Sequence, residues 1–351
     1  MIDSTSAPRN APETLCVESV SKRRLPQNLS ETDREIFSHE LIKRIPPCRL
    51  LEFRGVNITP DGLLFRNGAV LPESFAHPNE ADHWKSLRSR LRLYASGFRA
   101  ARRHAIAGDA YWITDTQSAE FFHWMADALP RLLSIRDRIK TGTLLLPACY
   151  AGITYVTESL KAFEVWQICF VERMTRCRNL FIPTHAAPSG NFNDALMRQL
   201  RDQFRTHFGS IPTPAVSNRL YISRARAPKR KIHNEDAIIE VLENHDFHAV
   251  HLEEYPFDRQ VAIAMHTRFL VSNHGAGLTN MIFMPAGSCV LEMRKQDDCH
   301  NNCYFSLASA LGIRYFYQIC PARVEDEDSF SADLIVSPEM LRANLDHMLT
   351  H

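Results

Sequence analysis

"RFLVSNHGAGLTNMIFMPAG", Arg268 to Gly287, is the stretch on which the reading of the fold turns. "RFLVS" has the composition of a buried strand, the run from Leu278 that of an apolar helix, and His274, Gly275 and Gly277 mark the junction. A strand that turns directly into a helix is the repeating unit of a parallel α/β sheet. The unpaired N–H groups at such a helix start, together with the helix dipole, favour an anion. Gly275 and Gly277 let the backbone approach a phosphate, Ala276 supplies an amide between them, and His274 can donate to a phosphate oxygen. The other reading is that the glycines serve the turn geometry alone.

Working outward, the same alternation fills the second half. Strands are predicted at "RLYIS", "AVHL", "RFLVS", "CVLEM" and "RYFYQ", with helices from Glu235 to Asn244, over "FDRQVAIAMHT", from Leu278 and over "YFSLASALG". Five strands joined by crossover helices make a doubly wound domain, whose ligands sit beyond the carboxyl ends of the strands. After the first strand, "RLYISRARAPKRK" collects Arg219, Arg224, Arg226, Lys229, Arg230 and Lys231. Loops after neighbouring strands converge, so this cluster and the His274 turn can face one ligand, and a diphosphate suits arginines that pair bidentately with phosphate. Arg226, Lys229 and Lys231 also fit a plain exposed loop. Glu292, at the end of "CVLEM", is a candidate for ribose hydroxyls or else a surface glutamate, and Asn280 a supporting polar residue. Ser337-Pro338-Glu339 starts a last helix, expected over 336–351 and packing back across the domains.

The first half reads less evenly. Residues 1–30 are polar, with Pro8, Pro12 and Pro26, and suggest a flexible leader rather than a secretory signal. Turn signals at Pro60-Asp61-Gly62 and Asn67-Gly68 predict a small antiparallel meander. Strands "AYWIT", "TLLLP" and "NLFIP" then alternate with helices over "SAEFFHWMADALPRLLSIRDRI" and "TYVTESLKAFEV". Gly209 to Pro214 breaks the pattern and sets the expected boundary between domains 31–210 and 211–335. Lys85 to Arg103 holds seven basic residues and no acidic one, either a solvated helix face or a docking surface for an anionic lipid-linked acceptor or membrane.

In "EFFHWMADALPRLL", His123, Asp127 and Arg131 form one polar stripe on an otherwise apolar helix. Burying such groups unpaired costs about 2–7 kcal/mol each, so the stripe is either a satisfied internal network or a catalytic face. Pro130 cannot donate to the carbonyl of Ala126, which predicts a kink beside Asp127.

Composition limits the alternatives. The 351 residues exceed one ordinary core, 45% are hydrophobic, and the net charge of +1 provides no global field for nucleic acid. Nine cysteines, at 16, 48, 149, 169, 177, 289, 299, 303 and 320, show no C-x-x-C pair, and a reducing compartment is the expectation. Cys299, His300 and Cys303 lack the fourth ligand of a structural zinc site, and no apolar run is long enough to span a membrane. The sequons at Asn28 and Asn57 are read as accidental. "YISRARAPKRK" has no glycine, against a dinucleotide fingerprint, and no G-x-S-x-G occurs, against a serine hydrolase.

"FFHWMADALPRLL", "RLYISRARAPKRKIHNEDAIIEVLENHDF" and "RFLVSNHGAGLTNMIFMPAGSCVLEM", followed by "YFSLASALG", resemble in that order the signature segments of glycosyltransferase family 61 over roughly Tyr111 to Tyr317. Bacterial members are often labelled capsular polysaccharide biosynthesis proteins. The resemblance implies a GT-B-like fold, two Rossmann-like doubly wound domains facing each other across a cleft. It also implies an inverting transfer from a nucleotide-sugar, commonly a UDP-sugar, held mainly by the C-terminal domain, with no further cofactor. The missing anchor favours a bacterial cytoplasmic enzyme acting on a glycan or lipid-linked glycan. On this reading Asp127, or His123 oriented by Asp127, is the base; Arg131 supports it; Arg224, Arg230, His274 and the amides after Gly275 stabilise the leaving diphosphate. Asp326-Glu327-Asp328 spells D-x-D but lies in an acidic stretch that reads as a solvated loop, so no metal is expected. A protein of the same shape that binds nucleotide-sugar or glycan without turnover is the alternative.

Overall fold

The computed structural model describes residues 8, 10–77, 80, 104–212, 217–325 and 327–351, so the basic stretch from Lys85 to Arg103 and Asp326 lie outside the described residues. Among the described residues, ten strands occupy the first half: β1 (Glu13–Cys16), β2 (Ser19–Lys22), β3 (Ile42–Ile45), β4 (Cys48–Ile58), β5 (Leu64–Arg66), β6 (Ala69–Val70), β7 (Ala105–Trp112), β8 (Thr143–Pro147), β9 (Gln167–Val171) and β10 (Thr175–Pro183). The second half adds β11 (Arg219–Ile222), β12 (His248–Val250), β13 (Phe269–Asn273), β14 (Cys289–Lys295) and β15 (Arg314–Cys320). The chain divides into two units: residues 1–19 with 46–187, and residues 20–45 with 188–351.

In the first unit β4 pairs antiparallel with β10, which starts a parallel run through β7, β8 and β9; β5, β6 and β1 extend the β4 side. The expected meander is therefore not a separate piece. It is the antiparallel flank of a mixed sheet, because eleven-residue β4 is long enough to pair with β10 on one edge and with β1 and β5 on the other. The core gathers Leu51, Phe53, Val56 and Ile58 of β4, whose alternation is interrupted at Gly55 (φ 67°), with Trp112, Leu145 and Leu180.

In the second unit the five predicted strands form one parallel sheet in the order β12-β11-β13-β14-β15. Numbered within the unit this is 2-1-3-4-5, whose direction of winding reverses between β11 and β13. The helix expected from Leu278 is instead a 3-10 helix, Ala276–Phe283, and it is buried almost throughout.

Three expectations on boundaries are corrected. The unit boundary falls at 187/188 rather than at Gly209–Pro214, because the amphipathic helix Asp194–Phe208 buries Leu196, Leu200 and Phe204 and packs against the helices of the second unit. The leader is ordered from Glu13 onward: β1 joins the first sheet, and residues 20–45 belong to the second unit. There Phe37 is fully buried against Phe305, Tyr315 and Tyr317, with ring centroids 5.0, 6.0 and 4.9 Å away, and Asn28 Nδ2 donates to the Tyr317 carbonyl at 2.7 Å. The last helix, Pro338–Leu349, is capped by Ser337 as expected, but Leu341, Leu345 and Met348 enter the core of the second unit itself. No helix among the described residues is long and apolar enough to cross a membrane.

Candidate functional site

Two polar clusters stand at carboxyl ends of parallel strands, one in each unit. In the second unit the cluster lies at the reversal between β11 and β13. Gly275 has extended backbone (φ 160°), so any residue could adopt its dihedrals. What requires glycine is Arg224: a Cβ at Gly275 would lie 2.5 Å from its Nη1 and 2.9 Å from its Cζ. At Gly277 a Cβ would meet Ile222 Cγ2 at 3.0 Å. The two glycines thus let the turn after β13 close on the first residues after β11.

Arg224 donates from Nε to the Arg230 carbonyl at 3.3 Å and from Nη2 to the Lys229 carbonyl at 3.2 Å. Among the described residues neither Arg224 nor Arg230 forms an ion pair, whereas Arg226 is paired with Glu254. Burial pushes the Arg224 pKa down, and neighbouring Arg230 adds to that. Arg230 sits at φ 58°, a left-handed conformation that costs a side-chain-bearing residue about 1–2 kcal/mol. Its Nε is buried without a hydrogen-bond partner among the described residues, and its carbonyl accepts from Asn273 Nδ2. The two half-buried guanidinium groups are mutually unfavourable, with Tyr304 and Glu253 offsetting part of that repulsion at Arg224.

His274 and Glu292 are placed differently from expectation. Glu292 is fully buried on β14; its Oε1 bonds His274 Nδ1 and its Oε2 accepts from Tyr315 Oη at 2.5 Å. With both oxygens committed and no exposed surface, it is not a ribose ligand in this geometry. Burial alone would raise its pKa, but His274, Arg294 and Tyr315 outweigh that and hold it below the ordinary carboxyl range. The other His274 nitrogen, Nε2, accepts from Asn301 Nδ2 at 2.8 Å, and the ring meets Tyr304 edge-on at 5.0 Å. His274 therefore braces the turn rather than presenting an N–H to a phosphate. Asn280, expected as support, folds back to donate to the Gly277 carbonyl at 3.0 Å. Arg294, two residues beyond Glu292 on the same strand face, is buried too, bonded to Asn302 Oδ1 at 2.8 Å and stacked on Phe37. β14 is thus apolar on one face (Cys289, Leu291, Met293), while Glu292 and Arg294 share the other with buried Val290, a pattern legible in "CVLEMRK" only once burial is known.

In the first unit His123 Nδ1 and Asp127 Oδ2 are 2.7 Å apart, as the spacing predicts. The helix carrying them holds a π turn, Trp124–Ala128, closed by the Leu129 N–H on the Trp124 carbonyl. The missing donor at Pro130 is absorbed by this wider turn rather than by a simple kink. Trp124 Nε1 anchors the helix to Ser159 Oγ at 2.8 Å. Burial lowers the His123 pKa, but the bond and charge of Asp127 outweigh it and raise it above the ordinary histidine value. Asp127 is nearly buried and His123 is part-exposed.

Arg131 goes elsewhere. Its Nη1 lies 3.5 Å from Asp115 Oδ2 and its Nε donates to the Pro183 carbonyl at 2.9 Å, tying the ends of β7 and β10 together. Asp115 Oδ2 also meets His185 Nε2 at 2.9 Å, and its Oδ1 accepts from Gln117 N and Ser118 Oγ. Against the upward push of burial, His185 and Arg131 hold the Asp115 carboxyl well below the usual carboxylate range. Sequence reasoning missed Asp115 and His185, which lie 70 residues apart; the only signal was their position just past the predicted strands "AYWIT" and "NLFIP". Among the described residues no three His, Cys, Asp or Glu side chains are grouped to hold a metal; Asp328 caps its own turn through Phe330 N and Ser331 Oγ.

Comparison with known proteins adds a family. Residues 121–291 match the family model described as Glycosyltransferase 61. An EGF domain-specific O-linked N-acetylglucosamine transferase of Drosophila melanogaster is 32% identical over 179 residues, 45% of this chain and 34% of that protein. Those of Mus musculus and Xenopus laevis are each 28% identical, covering 53% and 50% of this chain and 37% and 35% of their own lengths. The match spans about a third of each of these relatives.

Proposed function

From a chain that belongs to glycosyltransferase family 61 by its residues 121–291, we propose a glycosyltransferase that inverts the anomeric centre of a nucleotide-sugar donor. The observation that carries the reading is the Arg224 guanidinium packed on Gly275 at the strand-order reversal, beside Arg230 and without an ion pair among the described residues. Such a reversal is where doubly wound sheets bind their ligands, and the chemistry offered there is that of a diphosphate.

In the proposed reaction the second unit holds the donor diphosphate through Arg224, Arg230 and the amides of Ala276 and Gly277. The proposed base is His123, oriented by Asp127. With its Nδ1 proton directed at Asp127, neutral His123 carries its lone pair on Nε2 and takes the proton of an acceptor hydroxyl. The hydroxyl oxygen bonds to the anomeric carbon as the bond to the diphosphate oxygen breaks, and the two arginines neutralise the charge that develops there. His274 and Glu292 keep the turn in place and do not react. This division of charge needs no metal.

The donor is proposed to be a UDP-sugar. The relatives are named N-acetylglucosamine transferases, so UDP-N-acetylglucosamine is the first to try. The acceptor is proposed to be a glycan or lipid-linked glycan; the names of the relatives favour a protein hydroxyl as the second reading. A thermal-shift screen of nucleoside diphosphates and their sugars tests the donor site, since ligand at 100 times its dissociation constant adds about 2.7 kcal/mol. Stabilisation by uridine nucleotides is expected; no shift with any nucleotide refutes the donor site. Nucleotide binding without sugar transfer to any hydroxyl acceptor would indicate the silent binding protein instead.

A further inference from the structure

Cys16 and Cys48 are Cα partners on the antiparallel strands β1 and β4, just past a shift of register between Thr14 and Cys16. Partners of this kind stand about 4.5–5.5 Å apart at Cα, inside the window of roughly 4.4–6.8 Å that a disulfide spans. The two sulfurs lie close enough for each to shift the other's titration, Cys16 upward and Cys48 downward. Cys48 is 1% exposed and also reaches the Thr184 carbonyl at 3.2 Å, while Cys16 is half-buried and open to solution on one side.

Their place in the chain gives the pair its consequence. Residues 20–45 leave the first unit after β1, join the second, and return at β4. Cys16 and Cys48 therefore stand at the root of this excursion, where the departing and returning strands pair. β1 is only four residues long and adds little pairing of its own.

We propose that Cys16 and Cys48 form a reversible intrachain disulfide that closes the root of the 20–45 excursion. The oxidant class is a small-molecule disulfide such as glutathione disulfide. Cys16, the accessible sulfur, attacks it and forms a mixed disulfide, releasing one glutathione, which takes the Cys16 proton. The Cys48 thiolate then attacks the Cys16 sulfur and expels the second glutathione, which takes the Cys48 proton. Two protein thiols are oxidised and one glutathione disulfide is reduced to two thiols. Access rather than acidity sets the order of attack: the Cys16 sulfur foremost, with Ser134, Thr184 and Arg131 adding, holds the Cys48 thiol below the ordinary range against the effect of burial, while Cys48 and burial push the Cys16 thiol up.

The test equilibrates the full chain in glutathione buffers of increasing oxidised fraction, blocks remaining thiols, and maps the peptides by mass spectrometry. The nine alkylatable cysteines are expected to fall by two, with the Cys16 and Cys48 peptides joined until reductant is added. Cys16→Ser, a half-buried site that tolerates the change, is expected to keep every remaining thiol alkylatable. Cys16 and Cys48 both staying free under the most oxidising buffer, or joining other cysteines while the chain is folded by circular dichroism, overturns the proposal. A joined pair that persists in Cys16→Ser with another partner overturns it equally.

Discussion

Replacing Gly275 with alanine perturbs the anion cluster through one methyl group. Its backbone is extended, so the substitution carries no dihedral penalty. The new Cβ would lie 2.5 Å from Arg224 Nη1 and 2.9 Å from Cζ, about 1 Å short of ordinary contact. Arg224 must yield by about that much. Its bonds to the Arg230 and Lys229 carbonyls, at 3.3 and 3.2 Å, then exceed hydrogen-bonding reach. Losing one charge-assisted bond to a phosphate costs about 1.5–3 kcal/mol, so Gly275→Ala should weaken UDP binding by roughly 10- to 150-fold. The assay is isothermal titration calorimetry on a double-mutant cycle. In the Arg224→Ala background the extra methyl has nothing to displace and should be nearly silent. Gly277→Ala, whose Cβ would press on Ile222 at 3.0 Å, should lower the melting temperature while leaving UDP affinity much less affected. UDP binding unchanged in Gly275→Ala, or weakened equally with and without Arg224, would refute the assignment of Arg224 to the diphosphate.

Four further outcomes follow. Asp127→Asn should reduce turnover by about 10²- to 10⁴-fold with UDP affinity intact, measured with a melting curve on the same preparation. Full activity in a folded variant removes Asp127 from the mechanism. Because Asp127 raises the His123 pKa and the base must be neutral, activity should increase with pH through that raised value; Asp127→Asn should move this acid limb to lower pH, and an unmoved limb argues against His123. The same shift means that the stability gained from protonated His123 is present below its ordinary pKa and is lost as pH rises through the raised one. Asp115→Asn leaves buried Arg131 without its carboxylate and should cost about 3–5 kcal/mol in urea unfolding, and a loss below 1 kcal/mol would show the pair to be dispensable. Glu292→Gln should likewise destabilise the fold while the folded fraction binds UDP normally; weakened binding at full stability would restore its ribose role.

The parallel sheet of the second unit was legible because strands buried on both faces read as short apolar runs, and "RLYIS", "RFLVS" and "CVLEM" stand clear of the helices between them. The His123–Asp127 pair was legible for a similar reason, since helical spacing is local and four residues on one face must meet. The 3-10 form of Ala276–Phe283 was not, because the same apolar run suits either helix and only the packing around it selects one. Long-range partnership was also hidden. Nothing local to Asp115 announces His185, and nothing in a polar leader announces that Phe37 will fill the space between Phe305 and Tyr317.

The sequence by itself determined the periodicities, and with them the strands, most helices, the glycine turn and the basic loop that follows β11. Tertiary structure decided which charges are spent inside the protein and which are left over. Glu292 and His274 look as exposed as Arg224 when read along the chain, yet β14 and β15 draw the first two into a closed network with Tyr315 and Asn301. Arg224 is packed on Gly275 beside Arg230, and among the described residues neither arginine forms an ion pair. The physical reason is that a polar residue's role depends on whether its partner is another residue or a ligand, and that partner is chosen by sheet order, which brings strands 50 residues apart side by side.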